Sequence, residues 1–267
     1  GSFNTTERSC YFLTSQGWMF ATGYNQYGNL GDGTGTVRYT PVRCGNISGM
    51  TNISVSGGDI TVFAFNATAT GHNVYAWGAG INGVRGDGSI GAINTPTLIT
   101  SISDVVELQT THDTSSSTTN ASSFSMARKS DNTVWTTGAN NNGQLGQGNT
   151  TQLTTWTQVP GVTNAASIKI WGGFYGVSTV IDTNKNLIIW GTNNYGVNGN
   201  GTTTSVTSPY TPDSSIIPQG SIDEVKFGGM SSYPVMLIRS GNDVYVSGYF
   251  AKGVRSDGKT TAENCQM

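Results

Sequence analysis

His112-Asp113 is the one place where an imidazole and a carboxylate stand side by side in this chain, which holds only 2 histidines in 267 residues. Such a pair can move protons, but a catalytic triad is defined by geometry in space, and neither His112 nor His72 accompanies a nucleophile motif such as G-x-S-x-G. Catalysis also needs convergent groups with perturbed pKa values. None is visible, so the chain is expected not to be an enzyme. The pair sits in a polar run, Gln109 to Ser123, where His112, Asp113, Thr114 and Asn120 offer small hydrogen-bonding groups. Tyr195 and Tyr210 lie beside further polar insertions at 202–208 and 212–219. Together these six form the candidate ligand set, with hydroxyls and amides to hydrogen-bond and rings to stack on a sugar or fill a protein interface.

Other chemistry-bearing patterns read more simply. Arg85-Gly86-Asp87 spells an integrin-type tripeptide, but other parts of the chain place Leu30-Gly31-Asp32 and Leu145-Gly146-Gln147 in the same setting. A turn therefore explains the spelling. The glycine-rich loops resemble phosphate cradles, yet such cradles need a helix N-terminus behind them. Asp32, Asp87 and Asp257 each stand alone in a turn, whereas calcium takes six to eight oxygens including several carboxylates. A turn aspartate bonded to its own backbone is the better reading. Cys10, Cys44 and Cys265 are 3 cysteines without metal-ligand spacing. Either Cys10 and Cys265 join the two ends of the chain, or all three are thiols. Seven N-x-S/T sequons, among them Asn46, Asn52, Asn66 and Asn120, are glycan acceptors or accidents of an Asn- and Thr-rich composition. No metal and no cofactor are expected.

What must position these residues is a repeat. The pattern G-x4-G-x2-G-x-G occurs at Gly23/Gly28/Gly31/Gly33, Gly78/Gly83/Gly86/Gly88, Gly138/Gly143/Gly146/Gly148 and Gly191/Gly196/Gly199/Gly201. A fifth copy, Gly248/Gly253/Ser256/Gly258, changes one position, and the lead glycines are 55, 60, 53 and 57 residues apart. Pro41, Pro96, Trp156 and Pro209 keep the same phase. Apolar runs such as Val74-Tyr75-Ala76-Trp77 and Leu187-Ile188-Ile189-Trp190 precede the lead glycines and read as strands. Trp77, Trp135 and Trp190 are expected in the core. In the second unit strands are expected near Val62–Phe65, Val74–Trp77, Thr97–Ile99 and Val105–Leu108. In the third they are expected near Phe124–Ala127, Val134–Thr136, Trp156–Val159 and Ile168–Trp171. Helix should be scarce, because no 3.6-residue apolar period is present. Four short strands per unit predict an all-β chain, a β-propeller of four-stranded antiparallel blades.

Gly23-Tyr24-Asn25-Gln26-Tyr27-Gly28-Asn29-Leu30-Gly31-Asp32-Gly33 and Gly138-Ala139-Asn140-Asn141-Asn142-Gly143-Gln144-Leu145-Gly146-Gln147-Gly148 resemble repeats of the regulator of chromosome condensation family, as does Val74-Tyr75-Ala76-Trp77-Gly78. The resemblance runs along essentially the whole chain. It implies a propeller and, for function, nucleotide exchange, enzyme inhibition or general binding. A single domain over 1–267 is expected, Gly1-Ser2 reading as a cleavage scar, with no signal peptide ahead of them. Five blades are expected, the N- and C-terminal segments sharing the last. The alternative is part of a six- or seven-bladed ring.

Composition narrows the setting. Charged residues make up 10% of the chain, against about 25% in ordinary soluble domains. The formal net charge is -2, which disfavours nucleic acid as a partner because phosphate binding needs clustered cations. No apolar run approaches the ~20 residues of a membrane span. The expectation is a non-enzymatic recognition module: a surface-exposed adhesin, or a phage or virion component, contacting a glycan, a surface protein or companion virion proteins. Its location would be extracellular, at the cell surface or on a virion. The alternatives are a guanine-nucleotide exchange factor or other small-GTPase regulator, as the resemblance implies, and a secreted enzyme inhibitor.

Overall fold

The computed structural model describes residues 3–5, 9–56, 61–66, 73–111, 122–230 and 233–249. These residues form five antiparallel sheets, the blades of a β-propeller. The first blade holds β1 (Phe3–Thr5), β2 (Ser9–Leu13), β3 (Met19–Gly23) and β4 (Arg38–Arg43); the second holds β5 (Asn52–Val55), β6 (Thr61–Phe65), β7 (Val74–Gly78) and β8 (Ile93–Ile99). The third is β9 (Val105–Thr110), β10 (Phe124–Lys129), β11 (Val134–Gly138) and β12 (Leu153–Gln158). The fourth is β13 (Ala165–Gly172), β14 (Gly176–Asp182), β15 (Leu187–Gly191) and β16 (Val206–Tyr210). In the fifth, β17 (Ile222–Met230), β18 (Tyr233–Ser240) and β19 (Asp243–Gly248) are described. Helix is confined to a single 3-10 turn at Ile81–Gly83 among the described residues.

The phase of the blades differs from the sequence expectation in one respect. Val105–Leu108 does not close the second unit, and Ile168–Trp171 does not close the third. Each lies in the first strand of the following blade, where β9 pairs with β10 and β13 with β14. The first blade likewise takes all four of its described strands from the N-terminal segment, where a blade shared with the C-terminal one was expected. Alternating apolar residues identify a strand, but only hydrogen-bonded pairing assigns it to a sheet.

Within a blade the lead glycine is where the third strand breaks its register with the fourth. Shifts fall at Ala21/Gly23, Ala76/Gly78, Thr136/Gly138 and Ile189/Gly191. Lead glycines have φ between 86° at Gly78 and 116° at Gly23, a bulge conformation open to glycine. Pro41, Pro96 and Pro209 fall on β4, β8 and β16, the outermost strands, where the missing N–H of proline costs no ladder bond.

After the bulge, a buried asparagine folds the glycine loop. Asn25 Oδ1 accepts from the Leu30 N–H at 2.8 Å, Asn140 Oδ1 from Leu145 at 2.9 Å and Asn193 Oδ1 from Asn198 at 2.9 Å. Their amide groups donate in turn to loop carbonyls, among them those of Thr36, Thr151 and Thr202. The second unit reaches the same result differently. Glycine replaces the asparagine at Gly80, and Arg85 replaces the leucine. The fully buried Arg85 guanidinium fills the vacated space, donating to the Gly78 carbonyl at 2.8 Å, to Asp87 Oδ2 at 2.9 Å and to Ser89 Oγ at 2.7 Å. The tripeptide spelling is thus a structural ion pair. Asp32 and Asp87 also accept from the backbone N–H two residues on, at Thr34 and Ser89, as turn aspartates do. Burial opposes charge on Asp32, but hydrogen bonds from Thr34, Arg38 and Asn25 hold its carboxyl below the usual range. Asp257 lies outside the described residues.

Each loop then docks on the next blade. The Gly33, Gly88 and Gly148 N–H groups donate to carbonyls of Asn94, Thr154 and Thr207 on the following outermost strand. A Cβ on Gly31 would lie 2.8 Å from the Trp77 indole nitrogen, and one on Gly146 2.8 Å from that of Trp190. The hydrophobic core consequently lies between sheets. Met19, Leu30, Val62 and Trp77 join the first two blades, while Leu187, Val197, Val225 and Met236 join the last two described. Trp77 and Trp190 are fully buried as expected, but Trp135 is only half-buried, with Lys129 Nζ 5.2 Å from its ring centre. It stands three residues before its lead glycine instead of one. The indole that packs against Gly86 comes from Trp156 on β12. Cys10 and Cys44 are thiols; burial and then the charge of Asp32 push Cys44 up to about 12. Cys265 lies outside the described residues.

Arg85→Met keeps the aliphatic stem but strands the Asp87 carboxylate and the Gly78 carbonyl. Urea unfolding is expected to show a loss of about 3 kcal/mol, the usual cost of removing one partner of a buried ion pair. A midpoint unchanged from wild type would contradict this account of the second loop.

Candidate functional site

In an antiparallel meander the turn from the first to the second strand and the loop from the third to the fourth emerge at the same end. The β13–β14 turn, the Gly191 loop, the β17–β18 turn and the segment after β19 therefore share one face. The first three are free of charge, residues 172–176, 192–205 and 228–235 containing no Asp, Glu, Lys or Arg, whereas the sequence after β19 carries Lys252, Arg255 and Asp257 beyond Tyr249.

Four tyrosines gather there. Tyr195, on the Gly191 loop, lies 5.5 Å from Tyr233 and 5.1 Å from Tyr249, ring centre to ring centre. Tyr233 and Tyr249 stack at 4.3 Å with their planes 28° apart, and Tyr195 stands at 71° to Tyr249. Phe174 packs edge-on against Tyr175 at 5.4 Å. All five rings keep some exposure, 38% at Tyr233. Burial raises the Tyr195 phenol above the ordinary tyrosine value, and the nearby phenols of Tyr175, Tyr233 and Tyr249 raise it further. The four hydroxyls thus converge, and polar loop residues such as the exposed Asn194 surround them.

Of the residues expected from sequence, Tyr195 is at the centre of this cluster. Tyr210 is elsewhere: it sits on β16 opposite Ile189 and packs against the core between the fourth and fifth blades. Burial and the Asp213 charge raise its phenol. His112, Asp113, Thr114 and Asn120 lie outside the described residues, as does His72. The described ends of their segment do reach the cluster's blade. Ser122 Oγ donates to the Gly173 carbonyl, and Thr111 packs so closely on Gly172 that a Cβ there would fall 2.3 Å from its side chain. Phe174, Tyr175, Tyr233 and Tyr249 were missed. Their signal was positional: Tyr249 directly follows a lead glycine, and Phe174 and Tyr233 follow glycine pairs.

The opposite face differs in chemistry. Asp223 pairs there with Lys185 Nζ at 2.9 Å and Arg239 Nη1 at 3.1 Å, and Glu107 with Arg128 at 3.4 Å. Between the outer strands of the second and third blades runs a rim groove of ≈ 360 Å³, lined by Asp87, Ile93, Thr97, Leu98 and Thr155 among others. No group of three or more His, Cys, Asp or Glu among the described residues could hold a metal ion. No helix among them is long and apolar enough to cross a membrane.

Comparison with known proteins places this architecture. No family model matches the chain. The E3 ubiquitin-protein ligase HERC2 of Homo sapiens and that of Mus musculus are each 28% identical over 194 residues, which is 72% of this chain but 4% of theirs. Human WBSCR16 superposes with a TM-score of 0.63 at 17% identity, over 84% of this chain and 54% of its own. Prp20p of Saccharomyces cerevisiae, described with its binding to Gsp1p and histones, gives 0.62 at 15% identity over 79% of this chain and 50% of its own. The same yeast protein, described as RCC1 and bound to Kap60, gives 0.62 over 92% of this chain. The chain spans about half the length of these solved structures.

In the wild type, Tyr195 is expected to titrate above 10.0, the value of an unperturbed tyrosine, in a spectrum of ring-labelled protein. Tyr249→Phe keeps a ring and removes one phenol, so the Tyr195 titration should move down. A folded-state value that is raised means the site's contribution to stability is complete below the unfolded tyrosine's pKa and is lost as pH rises through the folded one. A Tyr195 that titrates like an exposed tyrosine would contradict the clustering.

Proposed function

Because the chain is a β-propeller built of repeats of the regulator-of-chromosome-condensation type, we propose that it is a non-enzymatic docking module. It binds another protein through the face that carries Tyr175, Tyr195, Tyr233 and Tyr249. The observation that carries this reading is the cluster itself: partly exposed rings from separate turns of two adjacent blades. Tyrosine gives a large amphipathic contact at low entropic cost, and a rigid blade scaffold holds it in place before the partner arrives. The likeness to Prp20, which is described bound to Kap60, supports a protein partner. It turns the reading away from the adhesin or virion component contacting a glycan that low charge suggested.

A second reading is exchange-factor activity on a small GTPase, which the repeat resemblance implies and the described binding of Prp20p to Gsp1p favours. Nucleotide release from a panel of purified GTPases separates the two. Acceleration by catalytic amounts of the protein would replace docking alone with exchange.

For docking, a Tyr233→Ala/Tyr249→Ala double variant should lose affinity for a captured partner by about tenfold or more, as aromatic anchors do. Arg239→Ala, on the opposite face, should leave that affinity unchanged in the same titration. The reverse pattern would overturn the assignment of the face.

A further inference from the structure

The turn from the second to the third strand of a blade, and the chain that leaves its fourth strand, emerge at the end opposite the tyrosines. At that end of the first blade stand Trp18 and Arg43. We propose that these two side chains form a second contact site, independent of the tyrosine face, for an acidic segment of a partner protein, with Arg43 taking an Asp or Glu carboxylate. Three observations converge on those residues and that ligand.

The first is an ion without a counter-ion. The other described arginines are all paired: Arg38 with Asp32 at 2.6 Å, Arg85 with Asp87 at 2.9 Å, Arg128 with Glu107 at 3.4 Å and Arg239 with Asp223 at 3.1 Å. The Arg43 guanidinium makes no salt bridge and no hydrogen bond among the described residues. Its Nε is sealed from solvent, whereas Nη1 and Nη2 are not. The open end of the guanidinium is therefore the part that can receive a ligand, and a carboxylate matches it with two parallel hydrogen bonds.

The second is the platform beneath it. Trp18 is 42% exposed, the most of any tryptophan in the chain, and the Arg43 guanidinium carbon lies over its ring at 4.1 Å from the centre. A cation stacked on an indole spends its flat face and keeps its edge for hydrogen bonds. Both residues are held in place. Trp18 closes the turn between β2 and β3, its N–H donating to Thr14 Oγ1 at 3.0 Å and its carbonyl accepting from the Thr14 N–H at 2.9 Å. Arg43 ends β4 directly opposite Phe20 on β3. Tryptophan and arginine are the residue types enriched where contacts carry most of the binding energy, and fixing them beforehand lowers the cost of docking.

The third is the charge around the pair. Residues 14–18 and 43–51 contain no Asp or Glu, and Arg43 is the one cation on them. A single arginine suits a single carboxylate. Nucleic acid, by contrast, is held by several clustered cations that neutralise successive phosphates.

The test uses the full chain with fluorescence-labelled synthetic peptides rich in Asp and Glu, beside matched peptides in which every Asp and Glu is replaced by Asn and Gln. A single-stranded oligonucleotide is run in parallel, and binding is read by polarisation. The acidic peptides should bind at least about tenfold more tightly than the amide versions, as a charge-assisted hydrogen bond implies. Their affinity should fall as salt is raised, because the ion pair forms at the surface. Arg43→Gln should weaken it by about tenfold. Arg43→Lys keeps the charge and the contact with the ring but loses the fork, so it should fall between Arg43→Gln and wild type. Trp18→Leu should weaken binding by about threefold through loss of the platform. Tyr233→Ala/Tyr249→Ala, at the other end of the molecule, should bind acidic peptides as wild type does.

Equal binding of acidic and amide peptides would overturn the inference, as would affinity that ignores salt or binding of the oligonucleotide alone. So would an Arg43→Gln variant that holds acidic peptides as tightly as wild type. If no peptide binds the full chain, Arg43 is not an open site and the inference falls, while the docking reading of the tyrosine face stands or falls on its own variants. Loss of acidic peptide in the tyrosine double variant would put the contact on the wrong face and overturn it as well.

Discussion

A buried backbone carbonyl lies six residues after each of the first four lead glycines, and the blades are joined by the need to give it a donor. Asn29 O receives the Trp77 indole N–H at 2.9 Å and the Tyr11 hydroxyl at 3.1 Å. Gln144 O receives Trp190 and Ser178, each at 2.8 Å. Val84 O receives Ser125 at 2.9 Å, and Val197 O receives Ser247 at 2.6 Å. Leaving such a group unpaired costs about 1–3 kcal/mol. The donor changes from indole to hydroxyl, but the position it must reach does not. Glycine at the loop's contact points follows from the same demand, since a side chain at Gly31 or Gly146 would hold the indole away.

That constraint explains which parts of the fold were legible in the sequence. Spacing of the lead glycines survives because every unit must place the same carbonyl against the same neighbour, so repeat, strand content and propeller could be read directly. Assignment of strands to blades could not, because Val105–Leu108 carries the apolar pattern of a strand whichever sheet it joins. Compensated substitutions were hidden for a related reason. Gly80 with Arg85 replaces an asparagine-leucine pair, and Trp156 packs its indole against Gly86 as Trp77 and Trp190 do against Gly31 and Gly146, although its N–H finds no partner and Ser125 serves the Val84 carbonyl instead. Each swap fills the same space with residues that alignment by phase alone does not match. Trp135, judged by its place on a hairpin strand of the repeat, was placed in a core it only borders, because it stands three residues before its lead glycine and not one.

The site was less legible. Tyr195 was identified from its neighbours in a polar loop, yet Tyr233 and Tyr249 belong to a different blade, and only the packing of the fourth blade against the fifth brings them within 5.5 Å of it. Tyr210, equally plausible by composition, is turned into the core by its place on an outermost strand. What sequence does carry is the asymmetry of the two faces. The turns around the tyrosines, at 172–176, 192–205 and 228–235, are uncharged, whereas those at the opposite end of the same blades hold Lys185, Asp223 and Arg239 in mutual ion pairs. A rigid scaffold that gathers partly exposed tyrosines from adjacent blades on one face is chemically suited to a docking module.

Photo-crosslinking tests the central claim most directly. Benzoylphenylalanine is placed at position 195 in one protein and at 239 in another, and each is irradiated with the captured partner before the adducts are mapped by mass spectrometry. The account predicts adducts from position 195 and none from position 239. Adducts from position 239 alone would place the partner on the charged face and contradict it.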